Sequence, residues 1–169
     1  EKTITVKNIL TDELYEESYD HLVLSPGASP IVPNIEGVNE KHVFTVRNVT
    51  DIERLNHYIQ TVDAKNIAVI GGGFIGVEVA ENLRLAERNV SLVEFAPQIL
   101  MPFDYDMAQI LHKEMVDKGI ELIVGDGLAK IEETSIQLNS GKVVEADVVV
   151  LAIGVRPETK LAEEAGLEI

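Results

Sequence analysis

Apolar positions recur along this chain in two rhythms, and the switch between them marks out the elements. Thr3-Ile4-Thr5-Val6 alternates polar and apolar residues, the period of a half-buried strand. His21-Leu22-Val23-Leu24 is a second expected strand, and it runs into the turn signal Ser25-Pro26-Gly27-Ala28. Thr50-Asp51-Ile52-Glu53 has the spacing of a capping box, with Thr50 as N-cap and Glu53 reaching back. The helix it predicts keeps Ile52, Leu55 and Ile59 on one face and turns His57 to solvent.

Ile67-Ala68-Val69-Ile70 is apolar throughout, as befits a strand covered on both faces of a parallel sheet. It enters Gly71-Gly72-Gly73-Phe74-Ile75-Gly76. A helix follows, with Ile75, Val79, Leu83 and Ala86 as its expected core face and Glu81, Arg84 and Arg88 pointing outward. Val90-Ser91-Leu92-Val93-Glu94 completes a βαβ unit. A third helix over 105–118 is expected to bury Met107, Ile110, Leu111 and Met115 and to stop at Lys118-Gly119. Ile120–Val124 reads as the third parallel strand.

Beyond that point the rhythm shortens. Residues 127–146 give three short strands, with Asn139-Ser140-Gly141 turning one hairpin. Asp147–Ile153 returns as a buried strand that ends at Gly154. The expected fold is therefore α/β: a Rossmann-like parallel sheet with helices on both faces, plus a small antiparallel β-meander. Residues 25–39 hold Pro26, Pro30, Pro33, Gly27 and Gly37 and read as a linker. The expected division is 1–30, 31–155 and 156–169.

Composition narrows the function. With 29 acids against 14 bases the formal net charge is -15, so the surface would repel nucleic acid or an anionic membrane. A dinucleotide is not excluded, because backbone N–H groups and a helix terminus hold it without a basic field. The chain has no cysteine, so neither a disulfide framework nor thiol chemistry is expected of it. No secretory signal is evident at the N-terminus, and the expected location is cytoplasmic. Both ends read as cut points in a longer protein. His21, His42 and His112 have no partners at metal-ligand spacing, and no metal site is expected.

The glycine-rich turn carries the chemistry. A pyrophosphate must reach the backbone, so side chains are excluded from the turn. Gly71, Gly73 and Gly76 supply the tight bend, the close approach and the close helix–strand contact. The helix after them offers free N–H groups and about half a positive charge at its N-terminus. Glu94 ends the next strand, 18 residues past Gly76, where a carboxylate can accept both hydroxyls of the adenosine ribose. At about 4 Å it would repel a 2′-phosphate by roughly 4 kcal/mol per charge pair near a surface, before screening. No Arg or Lys lies between 89 and 112 to compensate, so NADH is expected over NADPH. Glu78 sits at the edge of the helix core face, as a solvated acid or as a contact to the nicotinamide end. Phe103 either flanks the adenine or packs its own loop. Asp104 and Asp106 are expected helix caps.

The segments Val69–Glu78 and Ala152-Ile153-Gly154-Val155-Arg156-Pro157 resemble the flavin-dependent pyridine nucleotide–disulfide oxidoreductases, in particular the group of NADH oxidase, NADH peroxidase and coenzyme A disulfide reductase. Asp20–Ala28, with Pro33 and Gly37, resembles the strand by which the flavin domain of that family crosses into its nicotinamide domain. The resemblance implies an NADH-binding domain inserted in an FAD domain of the same chain, in a homodimeric enzyme. In such an enzyme hydride passes from NADH to FAD and on to a disulfide, peroxide or oxygen. It implies further that Phe74 lies over the flavin, that Glu78 contacts the nicotinamide end, and that Gly154 borders the cofactor. The family's NADPH users carry arginines where this chain has Phe95 and Met101. Without the FAD loop and the redox cysteine, these residues alone are expected to bind NADH weakly and to turn over nothing. Residues 1–24 are expected to be less stable than the rest. Two other readings stay open, an FAD-binding Rossmann domain and a regulatory module that senses NAD.

Overall fold

The computed structural model describes residues 2–169 and divides into two compact units, one running to Gly27 and resuming with Pro157–Ile169, the other Ala28–Arg156.

In the first unit β1 (Thr3–Lys7) pairs antiparallel with β2 (Leu14–Ser18), Val6 opposite Tyr15. Asn8 closes the turn, its Oδ1 accepting from the N–H groups of Leu10 and Thr11. Apart from a half-buried Val6, both strands are exposed, so β1 is not the half-buried strand expected. The strand expected at 21–24 does not form, and Val23 is 84% exposed. An apolar tetrapeptide becomes a strand only where an edge accepts it.

The second unit begins with β3 (Ala28–Pro30) and β4 (Val43–Thr45), then α1 (Val49–Thr61) and β5 (Asn66–Ile70). Next come α2 (Phe74–Leu85), β6 (Asn89–Glu94), α3 (Tyr105–Asp117) and β7 (Glu121–Val124). The meander is β8 (Leu128–Ile131), β9 (Ser135–Leu138) and β10 (Val143–Glu145); β11 (Val148–Leu151) and β12 (Val155–Pro157) follow, with β12 beside β3. A short helix, α4 (Lys160–Glu164), belongs to the first unit.

The main sheet has the order β4-β11-β5-β6-β7, and every pairing in it is parallel. Because strand side chains alternate, each strand serves two cores. Ile67, Val69, Val90, Leu92, Val148 and Val150 face Leu55 and Ile59 of α1, Ala80 and Leu83 of α2, and Met115 of α3. Ala68, Ile70, Val93, Val149 and Leu151 face Ile131, Ile136, Leu138, Val144 and Ala146 from the meander and its exit. Each fully buried aliphatic side chain stabilises the fold by about 1.5–3 kcal/mol.

The α/β class expected from the sequence is what forms, with one correction. The three long helices share one face, and the meander, not a helix, covers the other. Its alternating apolar residues do there what a helix was expected to do.

Helix details differ too. The N-cap of α1 is Asn48, not Thr50: Asn48 accepts from Asp51 N–H, and Asp51 reaches back to Asn48 N–H. Asn and Asp close the same reciprocal box with shorter arms. Ile52 is consequently exposed rather than on the core face. In α2 the buried positions are Gly76, Ala80 and Leu83, while Ile75 and Ala86 are exposed. In α3 the inward stripe is Ala108, Leu111, His112 and Met115, and Met107 and Ile110 face out. Gly76 and Ala80 in α2 and Ala108 in α3 are the small residues among those that face the sheet. Arg84 and Arg88 do not simply point outward. Arg84 donates to the carbonyls of Lys118 and Arg88, and Arg88 donates to that of Ala64.

Candidate functional site

A cleft of about 640 Å³ opens at the carboxyl ends of β5, β6 and β11. This is where the crevice of an open parallel sheet is expected to take a ligand. The glycine-rich turn forms its floor, and each glycine there has a distinct reason. Gly71 has φ +107°, and a Cβ on it would stand 2.4 Å from the carbonyl oxygen of Ala152. Gly76 is buried, and its Cβ would come 1.8 Å from the oxygen of Gly71. A Cβ at Gly73 would meet nothing within 4 Å. It would project into open space beside the first turn of α2, and that space is what the glycine leaves to a ligand.

Gly73 is also the N-cap of α2 and supplies no side-chain hydrogen bond to it. The first turn of the helix therefore presents N–H groups without a capping side chain, the arrangement that suits an anion. Glu94 stands at the other side of the turn. Its Oε2 accepts from Gly72 N–H at 2.5 Å and its Oε1 from Ala96 N–H at 2.7 Å. A carboxylate has about four lone-pair positions, so roughly half of its accepting capacity remains.

The loop from 95 to 103 forms one wall. Leu100 donates to the carbonyl of Gly72 at 2.8 Å, and buried Gln98 donates to the carbonyl of Phe103 at 2.9 Å. The meander side contributes Asp126, Gly127, Leu128 and Asn139. Asp126 accepts from the hydroxyl of Ser140 and from the N–H groups of Ser140 and Gly127. That hydroxyl bond, chiefly, holds its carboxyl below the usual carboxylate range.

Of the residues singled out in the sequence, Gly71, Gly72, Gly73, Phe74, Ile75, Glu94 and Gly154 line this cleft, and Gly76 lies buried beneath it. Glu78 does not line it. It is exposed and borders a separate cleft between α1 and α2, near Asn56 and Asn82. Phe103 is not on the lining either; its ring packs edge-on against Phe74, centroids 6.1 Å apart. Asp104 takes the N-cap position of α3 without a side-chain bond, and Asp106 accepts from Met107 N–H. Asp126 and Asn139 also line the cleft and Ile99 packs against Gly72, whereas in the sequence Asn139 stands out only as a turn residue. Asp126-Gly127 is a turn dipeptide and was a usable signal; Ile99 gave none.

The sheet order, the strand–glycine turn–helix crossover and the cleft at the strand ends together define a Rossmann-type α/β domain. Residues 1–169 match the family described as pyridine nucleotide-disulphide oxidoreductase, and the chain belongs to it. It is 40% identical over 159 residues to an NADH oxidase of Methanocaldococcus jannaschii, covering 92% of this chain and 36% of that protein. The crystal structure of reduced Bacillus anthracis CoADR-RHD is similar with a TM-score of 0.90 and 50% identity, over 99% of this chain and 31% of that one. The water-forming NADH oxidase of Lactobacillus brevis, solved with NADH, has a TM-score of 0.81 and 31% identity over 96% of this chain and 37% of its own. Its engineered form, an NADPH oxidase solved with NADPH, has the same TM-score and 29% identity over 97% of this chain and 37% of its own. The chain thus spans about a third of the length of these relatives.

Proposed function

We propose that this chain is the NADH-holding domain of a flavoprotein oxidoreductase. One observation carries the reading: an uncapped helix N-terminus, the open space at Gly73 and the Glu94 carboxylate converge on a single turn. The N–H groups at the start of α2 would hold the pyrophosphate, Gly73 would let it approach, and Glu94 would accept the ribose hydroxyls. Phe74, 63% exposed at the cleft, would lie over the flavin, and Gly154 on the same lining would border the cofactor. Glu78 as a contact to the nicotinamide end and Phe103 beside the adenine belong to the same proposal, although neither lines the cleft.

The engineered NADPH oxidase supports the choice of cofactor. Its Gly→Ala, Asp→Ala, Ala→Arg, Met→Ser and Pro→Arg changes are separated by 18, 1, 1 and 5 residues. The same intervals separate Gly76, Glu94, Phe95, Ala96 and Met101 here. In that protein an acid was removed and arginines added along with the change to NADPH. This chain keeps an acid and lacks both arginines, as an NADH site should.

In the whole protein, FAD in a flanking domain of the same chain would take the hydride from NADH and pass electrons to a disulfide, peroxide or oxygen. The part played by residues 1–169 is to bind and orient. They contain no cysteine to receive electrons, and by themselves would turn over nothing. A homodimer in the cytoplasm is the assembly and place we propose. Among the described residues no helix is long and apolar enough to cross a membrane.

Titration with NADH and NADPH, on the wild type and on Glu94→Ala, tests this. Loss of a charge-assisted contact should weaken NADH about tenfold and narrow the gap to NADPH. Equal binding of both nucleotides by the wild type, unchanged in the variant, would overturn the proposal.

A further inference from the structure

The loop after Glu94 carries no ionisable side chain from 95 to 103, yet a ring nitrogen pins it. The N–H of Ile99 donates to Nε2 of His112, 3.1 Å away on α3. A backbone amide can only donate, so Nε2 is the bare nitrogen and the ring keeps its proton on Nδ1. Ile99 is fully buried, and its Cγ2 lies so near Gly72 that a Cβ there would stand 2.5 Å away. Leu100, the next residue, donates to the Gly72 carbonyl, and Gly72 N–H in turn binds Glu94. One imidazole therefore holds, through Ile99 and Leu100, both the middle glycine of the turn and the acid beside it.

We propose that His112 is a positioning residue of the nucleotide site, whose unprotonated ring sets the affinity for a dinucleotide by fixing the 95–103 loop; this rests on the reading of the site given above. A protonated ring would place an N–H opposite the N–H of Ile99. Two donors would then face each other and the hydrogen bond would be lost. The loop would come free of α3, and the Gly72–Glu94 contact would lose its backing.

Most of the charged groups nearby are held elsewhere. On α3 itself lie Asp106, Lys113 and Glu114; Lys113 pairs with Asp117. On β6, Glu94 is held by Gly72 and Ala96, and on β7, Glu121 is held by Lys142 and Ser91. On α2, Glu81 and Arg84 border the groove toward α3. None of them moves the titration of the ring. Burial alone does, lowering it from the ordinary 6.5. The ring is thus neutral and the loop fixed at neutral pH. Binding weakens as pH falls below the ordinary histidine value and through the lowered one.

The experiment is NADH titration of the intact protein between about pH 8 and pH 5, with the Ile99 amide resonance followed in the absence of nucleotide. Wild type should lose about fivefold in affinity toward acid, the worth of one hydrogen bond. His112→Gln keeps an oxygen near the Nε2 position and does not titrate. It should bind within about twofold of wild type at the alkaline end and lose the acid response. His112→Leu should bind about fivefold more weakly throughout; if it does not fold, the profile of the Gln variant still decides. An Ile99 resonance blind to the ring while NADH still binds would overturn the proposal alone, and so would an acid response unchanged in the Gln variant. A responsive Ile99 in a protein that binds no NADH at any pH would overturn the dinucleotide reading, and this proposal with it.

Discussion

Two clefts open at opposite ends of the five-stranded sheet, and the larger is the poorer candidate. At the amino ends of β5 and β11 lies a cleft of about 1120 Å³ bordered by Glu36, Glu40, Asp63, Glu132, Glu133 and Asp147, with Lys41, Lys65 and Lys130 as its cations. The glycine-turn cleft has about 640 Å³ and only Glu94 and Asp126 as charged residues. The larger cleft lies beside the carboxyl end of α1, where the helix carries partial negative charge; the smaller has the amino end of α2. For an anionic ligand the amino end of α2 offers N–H donors where the carboxyl end of α1 presents carbonyls. The polar groups of the large cleft are also spent on the fold. Asp147 accepts from the N–H groups of Lys65 and Asn66, and buried His42 bonds through Nε2 to the Glu132 carbonyl, which makes that nitrogen a donor. His112 uses the same nitrogen as an acceptor. Direction of the peptide dipoles, more than volume, separates a site from a seam.

The contrast can be broken most forcefully at Gly71. Gly71→Ala needs a left-handed backbone and pushes a methyl into the Ala152 carbonyl. We expect a loss of about 2–4 kcal/mol in denaturant unfolding together with loss of NADH binding. Asp147→Ala should separate stability from binding. Two N–H groups, the exposed one of Lys65 and the half-buried one of Asn66, lose their acceptor, costing about 1 kcal/mol in the same assay, while NADH affinity at the far end of the sheet stays within about twofold. A tenfold loss of affinity there would show that the two clefts are not independent. The smallest effect sharpens the picture at the rim. Glu121 is held below its ordinary 4.5 chiefly by its hydrogen bond to Lys142. Its contribution is complete above that value and is lost as pH falls through the lowered one. Because both side chains are about half exposed, Lys142→Met should remove no more than about 0.5 kcal/mol at neutral pH and flatten the acid limb of the stability curve.

Much of the second unit was legible in the sequence because its signals are local. The run 67–70, the glycine spacing and the acid at 94 define strand, turn, helix and strand within one continuous stretch. The meander was legible too, from turn residues at 139–141. What escaped depends on residues far apart in the chain. β4 is a strand only because β11 lies beside it, and three residues give no periodicity of their own. The strand expected at 21–24 failed for the opposite reason, having no partner edge among the described residues. The meander's place on the sheet, like the side of α3 that faces inward, follows from packing. Ala108 and His112 lie on that inward side, and a search for large apolar residues passes over both. At the site, Gly71, Gly73 and Glu94 could be named because their chemistry dictates their spacing. The Ile99–His112 bond joins a main-chain N–H to a ring from another element, and no side-chain pattern announces it.

The position of β11 carries a consequence for how the protein is made. It lies between β4 and β5 in the sheet, yet Val148–Leu151 leaves the ribosome after all of the other four strands. Val43 waits for Val149, so the nascent chain carries β4 with no neighbour while α1, α2, α3 and the meander are already made. A chain halted before that last strand would hold two separated halves of a sheet with bare, sticky flanks. Such late, distant closure slows folding and makes premature termination a hazard.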